Sequence, residues 1–261
     1  MDEQQHKLLL KHFSQCIQER VGGERASCSS SGAAPPQQKR FHWRVAPTAI
    51  VYFRRFYGVY SLLDHDPHVI LLAAVLLAGK TEENRIPVSI LQELLENFKC
   101  SSEDIQAAEL LLLEALRFEL IVEHPKSMVG TFIADLKHLP GNKSGGSSSS
   151  SSGSGSRGWS AAAEQILLDL QLTDAALRHS SVVLAICALR ECQAVAGDSF
   201  AMSLDAYLSE RFGADAAAVL LAEATAVSAL LVEVRVAVDP QALRQALEWA
   251  KSNSAWGKRG K

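Results

Sequence analysis

The sequence is poor in aromatic residues and in the glycine and proline punctuation that separates short strands. Aromatic side chains make up 7% of its 261 residues, while hydrophobic residues as a whole make up 48%. Proline and glycine cluster between long helical patterns, and leucine and alanine, which favour helices, dominate the apolar positions. These features argue against a sheet-based fold. They predict an all-α protein, with one large domain or two of ordinary size.

Cysteine is scarce as well, and its spacing argues against two kinds of site. The five cysteines are odd in number and contain no C-x-x-C pair, which is unlike a disulfide framework or a zinc module. The N-terminal segment lacks the basic start and apolar core of a signal peptide. We therefore expect a protein of a reducing compartment, either cytoplasmic or nuclear. The cysteines are Cys16, Cys28, Cys100, Cys187 and Cys192.

A strong charge of one sign is also missing. The formal net charge is −3, so no broad electrostatic field favours nucleic acid or acidic lipid, and the basic tail at 258–261 is short. The apolar run at 69–78 is far shorter than the about 20 residues that a membrane-crossing helix needs. We expect no direct nucleic-acid partner and no membrane partner.

The most distinctive stretch that is present is DPHVILLAAVLLAGKTEE, at residues 66–83. Asp66 can cap a helix that begins at Pro67, and every position from 69 to 78 is apolar, so this helix must be buried on all sides. We predict that it is the central helix of a bundle and that it ends at Gly79. Four polar residues then emerge at the rim of the core, where we expect the functional site: Lys80, Thr81, Glu82 and Glu83.

Two chemical interpretations of this stretch have little support in the sequence. Gly79-Lys80-Thr81 imitates the end of a phosphate-binding P-loop, but that motif needs a glycine where this chain has Ala74. A short polar run before the helix has the residue types of a metal site, yet such a run is ordinarily a loop and a cap. Its members are Asp64, His65, Asp66 and His68. We expect no catalytic residue, no bound metal and no cofactor.

Helical periodicity predicts a duplicated plan along the rest of the chain. Further helices are predicted at about 4–20, 47–63, 87–98, 101–116, 128–139, 160–173, 180–196, 202–212, 214–236 and 240–253. Two stretches of small and polar residues, about 22–40 and about 140–158, should be disordered insertions, and the Ser/Gly run at 144–156 should behave as flexible coil. The run SVVLAICAL, at 181–189, is the second half's counterpart of the central helix. We thus predict two five-helix repeats, at 1–123 and 124–238, followed by a terminal helix and basic tail at 239–261.

Four segments resemble the cyclin family, and within it cyclin H. They are VYFRRFYGVYSLLDHDPHVILLAAVLLAGKTEE, RFELIVEHPKSMVGTFIADLK, LQLTDAALRHSSVVLAICAL and DAYLSERF. The resemblance implies the cyclin fold, whose two five-helix repeats agree with the plan above. One departure is Gly79, where the family often has Cys or Ser, and we expect this glycine to loosen the end of the central helix.

The resemblance also implies a function and a set of site residues. In cyclins, a lysine that ends the third helix and a glutamate in the fifth lie at the heart of kinase recognition, and here they correspond to Lys80 and Glu109. Thr81, Glu82 and Glu83 would rim the same kinase-binding surface. The implied protein is a nuclear regulatory subunit, not an enzyme, that activates a cyclin-dependent kinase catalytic subunit. Its implied assembly is the CDK-activating kinase with a RING-type factor in the transcription and repair complex TFIIH.

Other interpretations stay open at this point. A cyclin C-like subunit of the Mediator kinase module shares part of the pattern. A TFIIB-like DNA-binding factor would share the fold but should bring a zinc ribbon and a basic face. A helical scaffold outside the cyclin family would activate no kinase, and Lys80 and Glu109 would then be an ordinary surface lysine and a helix-face carboxylate.

Overall fold

In the computed structural model, residues 1–22, 41–94, 100–138, 152–196, 204–235 and 238–257 are described, and their regular structure is entirely α-helical. The helices are α1 (Glu3–Val21), α2 (Val45–Tyr57), α3 (Pro67–Thr81), α4 (Val88–Leu94), α5 (Ser102–Ala115), α6 (Pro125–His138), α7 (Ser152–Gln171), α8 (Ala175–Arg178), α9 (Ser181–Ala196), α10 (Leu204–Phe212), α11 (Ala214–Arg235) and α12 (Pro240–Asn253). The all-α prediction is confirmed.

The chain forms two compact units, each with its own hydrophobic core. One unit combines Met1–Val122 with Val238–Lys261, and the other is Glu123–Ala237. The first contains α1 to α5 and α12, and the second contains α6 to α11. The terminal helix α12 is therefore part of the first unit, although the second unit separates the two segments along the chain.

In the first unit, α3 is the central helix, as its apolar sequence predicts. Leu72 and Val75 are fully buried, and α3 packs against α1, α2, α4 and α5. The side chain of Asp66 caps the helix by accepting a hydrogen bond from the backbone N–H of His68 at 3.0 Å. Pro67 takes the first helical position, where a missing N–H costs no hydrogen bond. Capping and burial therefore act together to place this helix at the centre of the unit.

The C-terminal segment completes the first unit. Ala246 and Ala250 of α12 are buried in the same core as α3, and α12 packs against α1. Beyond α12, the indole Nε1 of Trp256 donates a hydrogen bond to the carbonyl of Leu62 at 2.9 Å. The backbone N–H of Ala255 donates to the carbonyl of Leu63 at the same distance. These bonds fix the end of the chain to the loop between α2 and α3.

In the second unit, α9 has the central position that the sequence predicts for residues 181–189. Its residues Ala185 to Leu189 are fully buried, and it packs against α6, α7 and α11. The hydroxyl of Tyr207 on α10 donates to the carboxylate of Asp135 on α6 at 3.0 Å. The short helix α8 was missed, because four residues are too few to generate a helical period.

The helix α11 is unusual in this unit because it is long and apolar. By length and composition alone, it is the one helix in the described part of the chain that could cross a membrane. Of its apolar window, 22% is buried, and the core helix of a helical bundle passes the same test of length and composition. In the structure, α11 packs against α7, α9 and α10. The buried side of α11 comprises Ala217, Ala224, Val227 and Leu231.

Three helix boundaries differ from the predicted ones by three residues or more. The helix α2 ends at Tyr57 instead of about residue 63, and Tyr60, which lies just outside the helix, stacks on Phe56. The helix α6 begins at Pro125, three residues before the predicted start. The helix α7 begins at Ser152 instead of about residue 160, so flexible coil is wrong for 152–156 and disorder is wrong for 152–158. Extending a packed helix needs no new nucleation step. The remaining insertion residues, 23–40 and 139–151, and the basic tail lie outside the described residues.

The burial of α3 leads to a stability prediction. Leu72→Ala should lower the free energy of unfolding of the first unit by about 2 to 5 kcal/mol, since it removes a fully buried side chain and leaves a cavity. Leu110→Ala is the matched control, because the same atoms are removed from a side chain that is 66% exposed. Urea unfolding measures both variants. Equal losses from both would contradict the central role of α3.

Candidate functional site

The polar rim lies where α3 ends beside the middle of α5. Lys80 is in the last turn of α3, and its Nζ lies 2.6 Å from Oε1 and 2.8 Å from Oε2 of Glu109 on α5. Ser101 positions the start of α5, because its hydroxyl accepts a hydrogen bond from the backbone N–H of Asp104 at 3.0 Å. Two residues that are distant in sequence thus form one ion pair.

The two members of the pair differ strongly in exposure. The Glu109 side chain is 9% exposed, whereas that of Lys80 is 57% exposed. A buried carboxylate is costly without a partner, so Lys80 stabilises Glu109 in this position. An ammonium group has three N–H donors, and the contacts to Glu109 use at most two of them. Lys80 therefore offers hydrogen-bonding capacity at the surface above a buried carboxylate.

The end of α3 is a Schellman turn in which glutamate takes the left-handed position. Glu82 is the C-cap, and Glu83 has a φ of 55°. The backbone N–H of Asn84 donates to the carbonyl of Gly79 at 2.8 Å, and that of Glu83 donates to the carbonyl of Lys80 at 3.4 Å. These are the two hydrogen bonds that define the motif. The turn satisfies helix carbonyls and leaves the side chain of Glu83 exposed.

Gly79 has a different role from the expected one. The helix continues past it to Thr81, so it does not end α3. A Cβ at this position would lie 2.6 Å from Cδ1 of Ile86 and 2.8 Å from the carbonyl oxygen of Asn84. The missing side chain lets the turn after α3 fold closely onto the helix.

Thr81 and Glu82 face the neighbouring helix α2. The hydroxyl of Thr48 donates to Oε1 of Glu82 at 2.8 Å, and the hydroxyl of Tyr52 lies 3.2 Å from Oγ1 of Thr81. Tyr52 also donates to the carbonyl of Leu120, in the segment that follows α5. Burial raises the pKa of the Tyr52 hydroxyl above its usual value near 10, so this group stays a donor at neutral pH. Two of the predicted rim residues are therefore held from within the protein.

Three exposed apolar side chains lie on α5 or in the segment that follows it, and they were not predicted as site residues. Leu110 is 66% exposed, Phe118 69% and Ile121 90%. Arg117 and Phe118 have φ angles of 51° and 61°, so a left-handed turn ends α5 and presents Phe118. The sequence could have indicated that these side chains are exposed. Leu110 falls outside the buried stripe of α5, and Phe118 and Ile121 lie beyond the end of the helix. Exposed apolar side chains that lie near polar and charged ones are typical of a protein-binding site.

The chemical interpretations receive no support from the geometry. Gly79-Lys80-Thr81 forms the last turn of a helix, whereas a P-loop precedes one. Asp66 is the N-cap of α3 and also contacts Nδ1 of His68 at 2.9 Å. Across the described ranges, no group of three or more His, Cys, Asp or Glu side chains could hold a metal ion.

Comparisons with known proteins agree with this fold. The family described as "Cyclin, N-terminal domain" matches residues 36–121. Cyclin-H of Xenopus laevis is 31% identical over 64% of this chain and 48% of its own length. A cyclin-C of Oryza sativa subsp. japonica is 35% identical over 34% of this chain and 37% of its own length. The matched segments thus span about a third to a half of these curated relatives.

A solved structure extends the likeness to nearly the whole chain. A chain of the CAK complex from Chaetomium thermophilum bound to ATP-gamma-S matches with a TM-score of 0.74 and 18% identity, over 97% of this chain and 74% of that chain. At this identity the match establishes the fold, which is the all-helical cyclin fold. Together with the match of residues 36–121, it shows that the chain contains a cyclin N-terminal domain within a cyclin fold.

The left-handed position of Glu83 generates a second prediction. Glu83→Gly should stabilise the isolated protein by about 1 kcal/mol, because glycine adopts this φ without the steric cost of a Cβ. Glu83→Ala removes the same carboxylate but keeps the Cβ, so it should bring no such gain. Thermal unfolding of both variants is the measurement. A glycine variant no more stable than the alanine variant would refute the assigned strain.

Proposed function

We propose that this chain is the regulatory subunit that binds and activates a cyclin-dependent kinase. The observation that carries the proposal is the pair of Lys80 and Glu109 at the end of the central helix of a cyclin fold. The relatives are matched over only part of their length, so their names do not by themselves assign kinase binding to this chain. Kinase binding and activation are therefore our proposal. The proposed role is regulatory, so catalysis is left to the kinase.

The proposed mechanism is a shift between kinase conformations. A protein kinase is active when the lysine of its β3 strand pairs with the glutamate of its C-helix and its activation loop is ordered. A subunit that binds the inward position of that helix more tightly than the outward one shifts the equilibrium toward the active state. The size of the shift equals the difference in binding free energy. A rigid binding surface with fixed charges is suited to this discrimination.

The proposed kinase-binding face combines a charged pair with exposed apolar side chains. Lys80 and Glu109 form the pair, and Leu110, Phe118 and Ile121 add exposed apolar area that a partner could bury. Interfaces of this kind gain most of their affinity from a few well-packed side chains, with polar contacts that select the orientation. We assign the rim of this face to Thr81, Glu82 and Glu83. These three residues also have a structural role, because they form the end of α3 and its contacts with α2.

Within the cyclin family, we favour a cyclin H-like role in the CDK-activating kinase, with TFIIH and a RING-type assembly factor as further partners and a nuclear location. The longer match to cyclin-H than to cyclin-C supports this choice. A cyclin C-like subunit of the Mediator kinase module is the second candidate, because a cyclin-C is 35% identical over its shorter match. A helical scaffold outside the cyclin family does not agree with the family match.

The two candidates predict different assemblies in cells. Mass spectrometry after affinity purification of the full chain should recover a CDK-activating kinase subunit together with TFIIH components. Recovery of Mediator kinase-module subunits instead would select the cyclin C-like role. The Lys80→Ala variant, purified in parallel, identifies which recovered kinase depends on the proposed face.

The kinase-binding role of the ion pair can be tested by substitution. Lys80→Ala and Glu109→Ala should each weaken binding to the recombinant kinase subunit by about 2 to 5 kcal/mol, because each removes one member of a hydrogen-bonded charged contact. Kinase activation should fall with occupancy and recover at high concentrations of the chain, because a population shift depends on how much complex forms. Calorimetry and a kinase assay near the dissociation constant measure both effects.

Two controls separate this role from folding. The double variant Lys80→Ala/Glu109→Ala removes both charges, so no buried carboxylate lacks its partner and the fold should suffer less than in Lys80→Ala alone. Lys126→Ala breaks the partly exposed pair of Lys126 and Glu164 in the second unit, 3.2 Å apart, and should change binding little. Full binding and activation by both single variants would reject Lys80 and Glu109 as part of the interface.

A further inference from the structure

One face of α2 contacts both structural elements that form the proposed kinase-binding face. Thr48, Tyr52 and Arg55 are spaced by four and three residues, so their side chains lie on the same side of the helix. Thr48 donates to Glu82 at the end of α3. Arg55 donates from NH1 to the backbone carbonyl of Glu119, after α5, at 3.2 Å. Tyr52 lies between them and reaches both elements.

The hydroxyl of Tyr52 is the central contact of this network. Its single proton faces the carbonyl of Leu120, which is the shorter of its two contacts, while its oxygen lies 3.2 Å from Oγ1 of Thr81. Tyr52 and Thr48 are both fully buried. Buried polar groups are costly unless they are hydrogen-bonded, so these two hydroxyls favour one relative position of the α3 end and the segment after α5.

The two elements held by α2 carry different parts of the proposed face. The end of α3 carries Lys80, and the segment after α5 carries the exposed side chains of Phe118 and Ile121. A partner that contacts both parts binds more tightly when they are already in their bound arrangement, because less conformational freedom is lost on binding. The affinity for the kinase therefore depends on how firmly Lys80 and the segment after α5 are held at a fixed distance from each other.

We propose that Thr48 and Tyr52 are positioning residues that preorganise the kinase-binding face by hydrogen-bonding the end of α3 and the segment at 117–122 to α2. The inference rests on the proposed function for its effect on binding. Its structural part, the restraint of 117–122 by the Tyr52 hydroxyl, applies to the isolated protein. Neither residue needs to touch the kinase.

The chain provides a matched control on the same helix. Tyr57 is also buried on α2, and its hydroxyl donates to the backbone carbonyl of His65 at 3.1 Å, in the loop before α3. Tyr52→Phe and Tyr57→Phe each remove one buried hydroxyl that hydrogen-bonds a backbone carbonyl. The two variants differ in which segment loses its hydrogen bond. A general loss of stability would weaken kinase binding in both variants, whereas a positioning role would weaken it in Tyr52→Phe alone.

The experiment combines hydrogen exchange with binding. In the isolated protein, Tyr52→Phe should accelerate amide exchange in peptides covering 117–122, and Tyr57→Phe should not. Affinity for the recombinant kinase subunit of the CDK-activating kinase should fall about three- to tenfold for Tyr52→Phe, the equivalent of one hydrogen bond. Thr48→Val, which keeps the volume but removes the hydroxyl, should also weaken binding, and Thr48→Ser should restore it.

Each outcome has a defined meaning. Faster exchange and weaker binding for Tyr52→Phe, with neither for Tyr57→Phe, support the proposal. Unchanged exchange at 117–122 overturns the restraint, and equal affinities for the two phenylalanine variants overturn the positioning role. If the unaltered chain binds neither this kinase subunit nor that of the Mediator module, the proposed function fails, and the exchange data alone then decide whether Tyr52 restrains the segment.

Discussion

The burial of α3 along its continuous apolar run, Ile70 to Gly79, is the constraint on which the first unit depends. A helix without a polar face must be covered on every side, and α1, α2, α4 and α5 are arranged around it. Polar groups of α3 can then lie only at its ends. One end is capped by Asp66, with the ring of Trp256 beside His68, whereas the other carries the exposed Lys80. The location of the candidate site follows from the way the core is built.

The same residues serve the fold and the proposed recognition. Glu109 is a buried carboxylate that needs a cation, and the cation that stabilises it is the exposed centre of the candidate site. Glu82 accepts a hydrogen bond from α2, and Glu83 forms the turn that ends α3. A substitution at this rim therefore changes local structure and surface chemistry together, which is why paired variants are more informative here than single ones.

The sequence predicted the helices best where burial and capping act locally. Asp66, Pro67 and a continuous apolar run define α3 without any knowledge of its neighbours. The pairing of Lys80 with Glu109 could not be derived from either helix alone, and it came from resemblance to a family. The Tyr52 contacts and the exposure of Phe118 were not predicted, because they depend on how α2 and the turn after α5 pack in three dimensions. The close approach of Ile86 to Gly79 was missed for the same reason.

The return of α12 to the first unit has a consequence for synthesis on the ribosome. The second unit occupies 123–237, which is 115 residues between the two segments of the first. At about 5 to 20 residues per second, roughly 6 to 23 s pass between the emergence of residue 122 and that of residue 237. During this interval the nascent first unit lacks the helix that packs on α1, and its apolar surface there is open to chaperones. The second unit, by contrast, is contiguous and can fold as soon as it emerges.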